Sequence, residues 1–240
     1  MEVINYLLGY EKLKIYQNTD MFNFSLDSVL LPNFVTLSKK TKKILDIGTG
    51  NAVIPIILST KTSAKIDAIE IQKEVYELGK KSIELNNLQN QIRILNMDIK
   101  DYSNTCETDT YDTITCNPPF FKVNETSNLN ESEYKIIARH EVKLNLDDLM
   151  SVARKLLKNN GNIAIVHRTD RLIDIIETMR KYNIEPKKIR LIYPKKNTNS
   201  NILLIEGTKN GKPGLKILSP LISHSELDEY TDEIKEYFTN

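Results

Sequence analysis

Cysteine and histidine are scarce in this chain, two and three residues respectively out of 240. Cys106 and Cys116 are not at C-x-x-C spacing, and no histidine or second cysteine pair sits nearby. That excludes a structural zinc site or a dithiol redox pair as the organising chemistry, and no metal is expected. Both cysteines are read as small apolar residues. Long apolar runs are also missing. Nothing approaches the ~18 residues that cross a bilayer, and the opening MEVINYLLGYEKLKIYQ is too polar and interrupted for a signal peptide. A cytoplasmic protein with no membrane contact is expected. Strong charge of either sign is absent, with a net charge of +1; this is not the footprint of a strongly basic nucleic-acid binder. What remains is 40% hydrophobic and 27% charged residues, enough for a sizeable globular core.

From about residue 42 onward, apolar runs with strand character alternate with helical patterns. Strands are read at 42–48, 65–71, 92–99, 111–117 and 163–168, and helices at 51–60, 73–88, 147–161 and 171–182. Pro55 falls in the first turns of its helix, where proline is tolerated, and Gly161 reads as a helix C-terminal signal. This alternation implies right-handed β-α-β units and a parallel sheet covered on both faces. The ending breaks the rule: 187–194 and 201–209 read as strands joined only by KKNTNS, a joint too short for anything but an antiparallel hairpin. The expected fold is α/β, a Rossmann-like seven-stranded sheet, mostly parallel with a C-terminal antiparallel hairpin. One domain is expected over 1–240, with a helical extension at 1–41, the core at 42–209 and a tail at 210–240. In the extension, 24–38 reads as a helix capped near Ser25 or Asp27.

The first core strand runs into ILDIGTGNAV, residues 44–53. Gly48 and Gly50 let the backbone approach a ligand with no Cβ in the way, and Thr49 lies between them. Val53 stands where the dinucleotide fingerprint has its third glycine. Glu70 ends the second strand, where a carboxylate accepts from both hydroxyls of a ribose; Ile71 follows it. Asp98 ends the third strand and can accept from an adenine amino group; Ile99 follows it. Asp46 precedes the turn, a poor neighbour for a pyrophosphate but a good one for a cationic group such as the methionine moiety of S-adenosylmethionine. The set Asp46, Gly48, Thr49, Gly50, Glu70, Ile71, Asp98 and Ile99 falls at or near the C-terminal ends of three successive strands, where open parallel sheets bind ligands, and Asn117 after the fourth strand is expected as a further cofactor contact. NAD is the other candidate nucleoside cofactor, disfavoured by Val53.

Asn117-Pro118-Pro119-Phe120 follows the fourth strand directly. An adenine amino nitrogen is a poor nucleophile because its lone pair is delocalised into the ring. Two acceptors aimed at its hydrogens favour the pyramidal, nucleophilic form, and the Asn117 side-chain carbonyl and the Pro118 backbone carbonyl can supply them. Two prolines stiffen the loop, and Phe120 offers a ring on which a base can stack. The motif by itself fits any planar amino group, whether of glutamine, guanine or adenine.

Asn-Pro-Pro-aromatic resembles the acceptor motif of amino-methyltransferases of the class I fold. The wider set FNFSLDSVLL (22–31), ILDIGTGNAVIPIIL (44–58), NPPFF (117–121), ARHE (138–141), VHRTDRL (166–172), GLKILSPLI (214–222) and EYT (229–231) is similar to bacterial valine-tRNA adenine N6-methyltransferases, across nearly the whole chain. The resemblance implies S-adenosyl-L-methionine as cofactor and, as substrate, the tRNA adenine beside the anticodon. It carries the cofactor roles to Gly48, Gly50, Glu70 and Asp98, and the acceptor roles to Asn117, Pro118 and Phe120. Asn51-Ala52 departs from the Gly-Thr-Gly-x-Gly turn found in that family.

An unpaired anticodon-loop adenine costs little to extrude. The candidate phosphate contacts are Arg139 and His140 after the acceptor loop, Arg168 and Arg171 after the fifth strand, and Lys187, Lys188, Arg190, Lys195 and Lys196 in the hairpin. On charge alone such a run reads first as a solvated face, and Arg139-His140-Glu141 also reads as a salt-bridged brace for the polar segment 122–135. Alternatives are a glutamine methyltransferase of release factors, a ribosomal RNA guanine N2-methyltransferase, and a non-catalytic RNA-binding module with a vestigial cofactor fold. The release-factor enzymes normally carry a helical N-terminal domain and a tyrosine at the position of Phe120. Monomer and weak dimer are both open.

Overall fold

The computed structural model describes residues 1–7, 10–18, 26–118 and 144–237. Pro119, Phe120, Arg139 and His140, with Ser25, lie outside the described residues. The chain opens with β1 (Glu2–Leu7) and β2 (Tyr10–Asn18), then α1 (Leu26–Phe34), β3 (Lys43–Ile47), α2 (Val53–Ser59), β4 (Lys65–Glu70), α3 (Lys73–Leu85), β5 (Ile92–Asn96), α4 (Ile99–Thr105) and β6 (Tyr111–Cys116). It continues with α5 (Leu146–Leu156), β7 (Leu157–Arg168), α6 (Leu172–Lys181), β8 (Ile184–Tyr193), β9 (Ile202–Lys209), β10 (Lys216–Ile217), β11 (Leu221–Ile222) and α7 (Asp232–Glu236).

The main sheet runs in the order β5-β4-β3-β6-β7-β9-β8, with β10 and β11 both on the outer side of β8. β3 to β7 are parallel, and β9 is antiparallel to both β7 and β8. Four of the five residues of β3 are buried, because helices cover both faces of the sheet. Alternation along each strand divides the core. Ile44, Ile66, Ala68, Ala164 and Val166 face α1 and α2. Leu45, Ile47, Ile69, Ile114, Ile163 and Ile165 face α4, α5 and α6. Among the described residues no helix is long and apolar enough to cross a membrane.

Several boundaries differ from the sequence reading. The N-terminal extension is not simply helical: β1 and β2 form an antiparallel hairpin. Leu13, Ile15 and Gln17 turn inward and alternate with Lys12, Lys14 and Tyr16, a period of two. Ile15 is fully buried, and the Tyr16 N–H donates to Ser82 Oγ on α3 at 2.9 Å. Gly161 does not end a helix. The helix stops at Leu156, and Gly161 sits inside β7, where a Cβ would lie 2.9 Å from the Asp112 carbonyl oxygen. The third core strand stops at Asn96, because the Asp98 side chain accepts from the Lys100 N–H at 2.8 Å and starts α4.

The face lined by α4 carries a buried polar network. Asp67, 6% exposed, accepts from Tyr111 Oη at 2.6 Å and from Arg93 Nε at 2.8 Å. Burial alone would raise its carboxyl; Arg93 and Tyr111 hold it below the ordinary carboxylate range. Tyr111→Phe removes a donor to a buried charge and is expected to cost about 2 kcal/mol. In thermal unfolding that is a fall of about 4–8 °C for a domain of this size, with methyl transfer at 25 °C unchanged, because the network faces away from the crevice described next.

Candidate active site

The C-terminal ends of β3, β4, β5 and β6 open on one edge of the sheet. β4 and β5 lie on one side of β3, and β6 and β7 on the other. The strand order therefore reverses between β3 and β6, the place where an open α/β sheet forms a ligand crevice. A hydrogen bond spans that switch point: Thr115 Oγ1 on β6 donates to Asp46 Oδ1 on β3 at 2.6 Å.

Gly48 and Gly50 take φ of +66° and +61°, which a side chain would strain. A Cβ on either would meet no atom within 4 Å, so the turn borders open space. The turn is pressed from behind by α3, through a residue the sequence reading passed over. A Cβ on Gly79 would lie 2.9 Å from the Gly50 carbonyl oxygen and 2.7 Å from Ile94 Cδ1. A glycine in mid-helix was the available signal. Ala52, fully buried, adopts φ +70° to complete the turn without the third glycine.

Asp46 is fully buried, and its Oδ2 has no hydrogen-bond partner among the described residues; neither does Thr49 Oγ1, in a residue 5% exposed. Burial pushes the Asp46 carboxyl up to about 7, against the Thr115 hydrogen bond and with the nearby Glu70 charge adding to the rise. Thr49 Oγ1 lies close enough to favour the charged form without making a well-formed hydrogen bond. An unsatisfied buried carboxylate oxygen beside an unsatisfied hydroxyl calls for a ligand with N–H donors and positive charge. The amine of an amino-acid-bearing cofactor meets that need; a pyrophosphate does not.

Glu70, 4% exposed, accepts from the Gly50 N–H through Oε2 and from the Gln72 N–H through Oε1, both at 2.9 Å. Each oxygen keeps a second lone pair for a diol. The side chain thus ties the glycine turn to the end of β4. Ile71 is partly exposed beside it, and Asn96 Nδ2 donates to the Glu70 and Ile71 carbonyls at 2.9 and 3.1 Å. Asp98 uses Oδ1 as the α4 cap and is partly exposed. Ile99, 5% exposed, packs with Ile69 and Tyr102 in the core on the α4 face.

Asn117 is half-buried just beyond β6, and its Nδ2 donates to Ser28 Oγ on α1 at 3.2 Å. Pro118 is buried. Asp46, Glu70 and Asn117 therefore share one edge, as their strand positions implied.

The cations separate into two groups. β7 and β8 point the same way, so Arg168, Arg171, Lys195 and Lys196 stand at the crevice edge. Arg168 and Lys196 are exposed, and among the described residues neither makes an ion pair. Arg171 Nε binds Asp174 at 2.6 Å and Lys195 Nζ binds Asp228 at 2.8 Å. The other three, Lys187, Lys188 and Arg190, lie further back along β8, and each has partners within the fold. Lys188 Nζ donates to the Phe34 carbonyl at 2.7 Å and to Thr36 Oγ1 at 2.8 Å, and pairs with Glu206 at 3.6 Å. Arg190, 13% exposed, donates to the Ser219 carbonyl at 3.1 Å, to Tyr237 and to Glu233, anchoring the tail. Lys187 Nζ donates to the Lys212 carbonyl at 2.9 Å. Their side chains found partners from the tail and from α1, which no run of cations reveals. No group of three or more metal-ligating side chains occurs among the described residues.

Known proteins agree with this architecture. Residues 25–182 match the methyltransferase small domain. A protein of Parabacteroides distasonis named tRNA1(Val) (adenine(37)-N6)-methyltransferase is 28% identical over 236 residues, covering 95% of this chain and 96% of the relative. One of Flavobacterium psychrophilum with the same name is 26% identical, over 85% of this chain and 86% of the relative. Among solved structures, a predicted O-methyltransferase of Agrobacterium tumefaciens superposes with a TM-score of 0.70 at 18% identity, over 88% of this chain and 95% of that one. P. horikoshii TYW2 in complex with MeSAdo superposes at 0.61 and 14% identity, over 88% of this chain and 72% of that one. With its glycine turn, its strand order and two thirds of its length inside the family match, the chain belongs to the methyltransferase small-domain family.

Proposed function

We propose that this protein methylates the exocyclic N6 amino group of an adenine in tRNA, the adenine beside the anticodon of a valine tRNA, with S-adenosyl-L-methionine as methyl donor. The observation that carries the reading is Asn117-Pro118 at the end of β6, next to the Asp46–Thr115 pair at the switch point. The names of the two relatives supply the substrate class.

When bound, the cofactor supplies a methyl group activated on a sulfonium centre. Asp46 and Thr49 would hold its amine, the Gly48–Gly50 turn its backbone-facing side, Glu70 its ribose and Asp98 its adenine, with Ile71 and Ile99 flanking the base. Asn117 Oδ1 and the Pro118 carbonyl accept the two amino hydrogens of the target adenine. That localises the nitrogen lone pair and fixes its direction. Asn117 does not act as a base, and the surplus proton leaves to solvent. Pro119 and Phe120 follow in the motif, and Phe120 would offer the ring on which the base stacks. Arg168 and Lys196 grip tRNA phosphates, with Arg171 and Lys195 beside them and Arg139 and His140 as further contacts. A tRNA partner fits a cytoplasmic protein.

The test is transfer of tritiated methyl groups to tRNA lacking the modification, followed by nucleoside analysis. N6-methyladenosine is the expected product. Label in a release-factor glutamine or in guanine would overturn the substrate class. In the same assay, Arg168→Ala and Lys196→Ala are each expected to raise KM for tRNA several-fold at unchanged kcat. Each should reduce the salt slope of binding by about one.

A further inference from the structure

We infer that Ser28 is a positioning residue for methyl transfer: its hydroxyl holds the Asn117 amide so that Oδ1, and not Nδ2, faces the acceptor nitrogen. The inference rests on the reading that Asn117 Oδ1 accepts from the substrate amino group. A carboxamide has nearly the same shape in two orientations that exchange its acceptor and its donors. In one, Oδ1 meets the amino hydrogens. In the other, an NH₂ group meets an NH₂ group, and the nucleophile loses its acceptor. Something must choose between them before the substrate arrives.

The backbone of Asn117 is already restrained. β6 ends at Cys116, which is fully buried, and Pro118 confines the residue before it to extended conformations. The remaining freedom is in the side-chain torsions. Among the described residues, the only hydrogen bond of that side chain is Nδ2 to Ser28 Oγ at 3.2 Å. Ser28 is itself on a fixed support: the next three residues of α1, Val29, Leu30 and Leu31, are at most 1% exposed and pack into the core. In this arrangement the Ser28 hydroxyl accepts from Nδ2, and Oδ1 is left without a hydrogen bond among the described residues. Ser28 lies 89 residues before Asn117, and only the packing of α1 across the sheet edge brings the two together.

The test compares Ser28→Ala, Ser28→Thr and Asn117→Ala in steady-state methyl transfer to unmodified tRNA, with cofactor Kd and thermal unfolding measured on each. Ser28→Ala is expected to lower kcat about tenfold, the worth of one hydrogen bond of about 1.4 kcal/mol. KM for tRNA, cofactor Kd and Tm should stay unchanged. Ser28→Thr, which keeps the hydroxyl, is expected to restore most of the rate. Adding Ser28→Ala to Asn117→Ala should cost nothing further, because both remove the same interaction. Wild-type kcat in Ser28→Ala, or an undiminished tenfold loss in the Asn117→Ala background, would overturn the inference. An active Asn117→Ala would instead overturn the acceptor role on which it rests.

Discussion

Asn117→Ala is expected to lower kcat for methyl transfer by about 10²–10³, with the cofactor Kd unchanged and the KM for tRNA moved little. That is the usual consequence of removing one preorganised polar group aimed at the charge that develops in a transition state. The nucleophile here is a neutral amino group whose lone pair is delocalised, so a lost acceptor acts on the reacting nitrogen directly. Asn117 is half-buried at the end of β6 and touches α1 through its amide, while Asp46 and Glu70 stand on neighbouring strands. Removing its side chain leaves their contacts intact, including Thr115 to Asp46 and the Gly50 N–H to Glu70. Single-turnover methyl transfer, run beside cofactor titration, separates the two effects. A parallel loss of cofactor affinity would show that Asn117 shapes the cofactor site and does not act on the acceptor.

Cofactor affinity is expected to rise with pH between about 6 and 8, and Asp46→Asn to weaken binding about 100-fold and abolish that dependence. The Asp46 carboxyl is pushed up to about 7, first by burial, with its Oδ2 unsatisfied. Below that value the folded protein keeps a proton there that the unfolded chain has already lost. The stability contributed by this group is therefore present near the ordinary carboxylate pKa and declines as pH rises to about 7, at up to about 1.4 kcal/mol per pH unit. A cationic ligand reverses the preference, because it favours the charged carboxylate. Binding at pH 6 should then release up to one proton, while binding at pH 8 should release almost none. Calorimetry in two buffers of different ionisation enthalpy reads this directly. Asp46→Asn should also raise the Tm of the ligand-free protein at pH 8, since a neutral amide replaces a buried charge. Equal proton release by wild type and Asp46→Asn at pH 6 would assign the titration to another group.

The local sequence determined a good deal. The parallel core, its closing antiparallel hairpin and the glycine turn are set by short-range signals: apolar runs between helical periods, a six-residue joint after Pro194, and Gly-x-Gly after a strand. Asp46, Glu70 and Asn117 were legible for the same reason, because a residue at the end of a parallel strand is at the ligand edge whatever else the chain does. Strand endings could be read less well. Asp98 looked like the end of a strand and is the cap that starts α4, since a carboxylate that accepts from the second N–H beyond it competes with the ladder. The N-terminal hairpin was missed because β1 contributes only Leu7 to the core and the polar Gln17 takes one of the inward places of β2, beside Tyr10, Leu13 and Ile15.

Only the tertiary structure decided which polar groups are already satisfied. Lys188 and Arg190 belong to a run of cations in sequence, yet α1 and the C-terminal tail take up their donors. Arg168 and Lys196, no different by composition, remain exposed at the crevice edge. Gly79 matters because α3 presses against the turn, and Ser28 because α1 lies over Asn117. The physical reason is range. Backbone periodicity and turn chemistry act over a few residues and are written locally, whereas the partner of a side chain is set by how distant elements pack, and that packing exists only once the two faces of the sheet are covered.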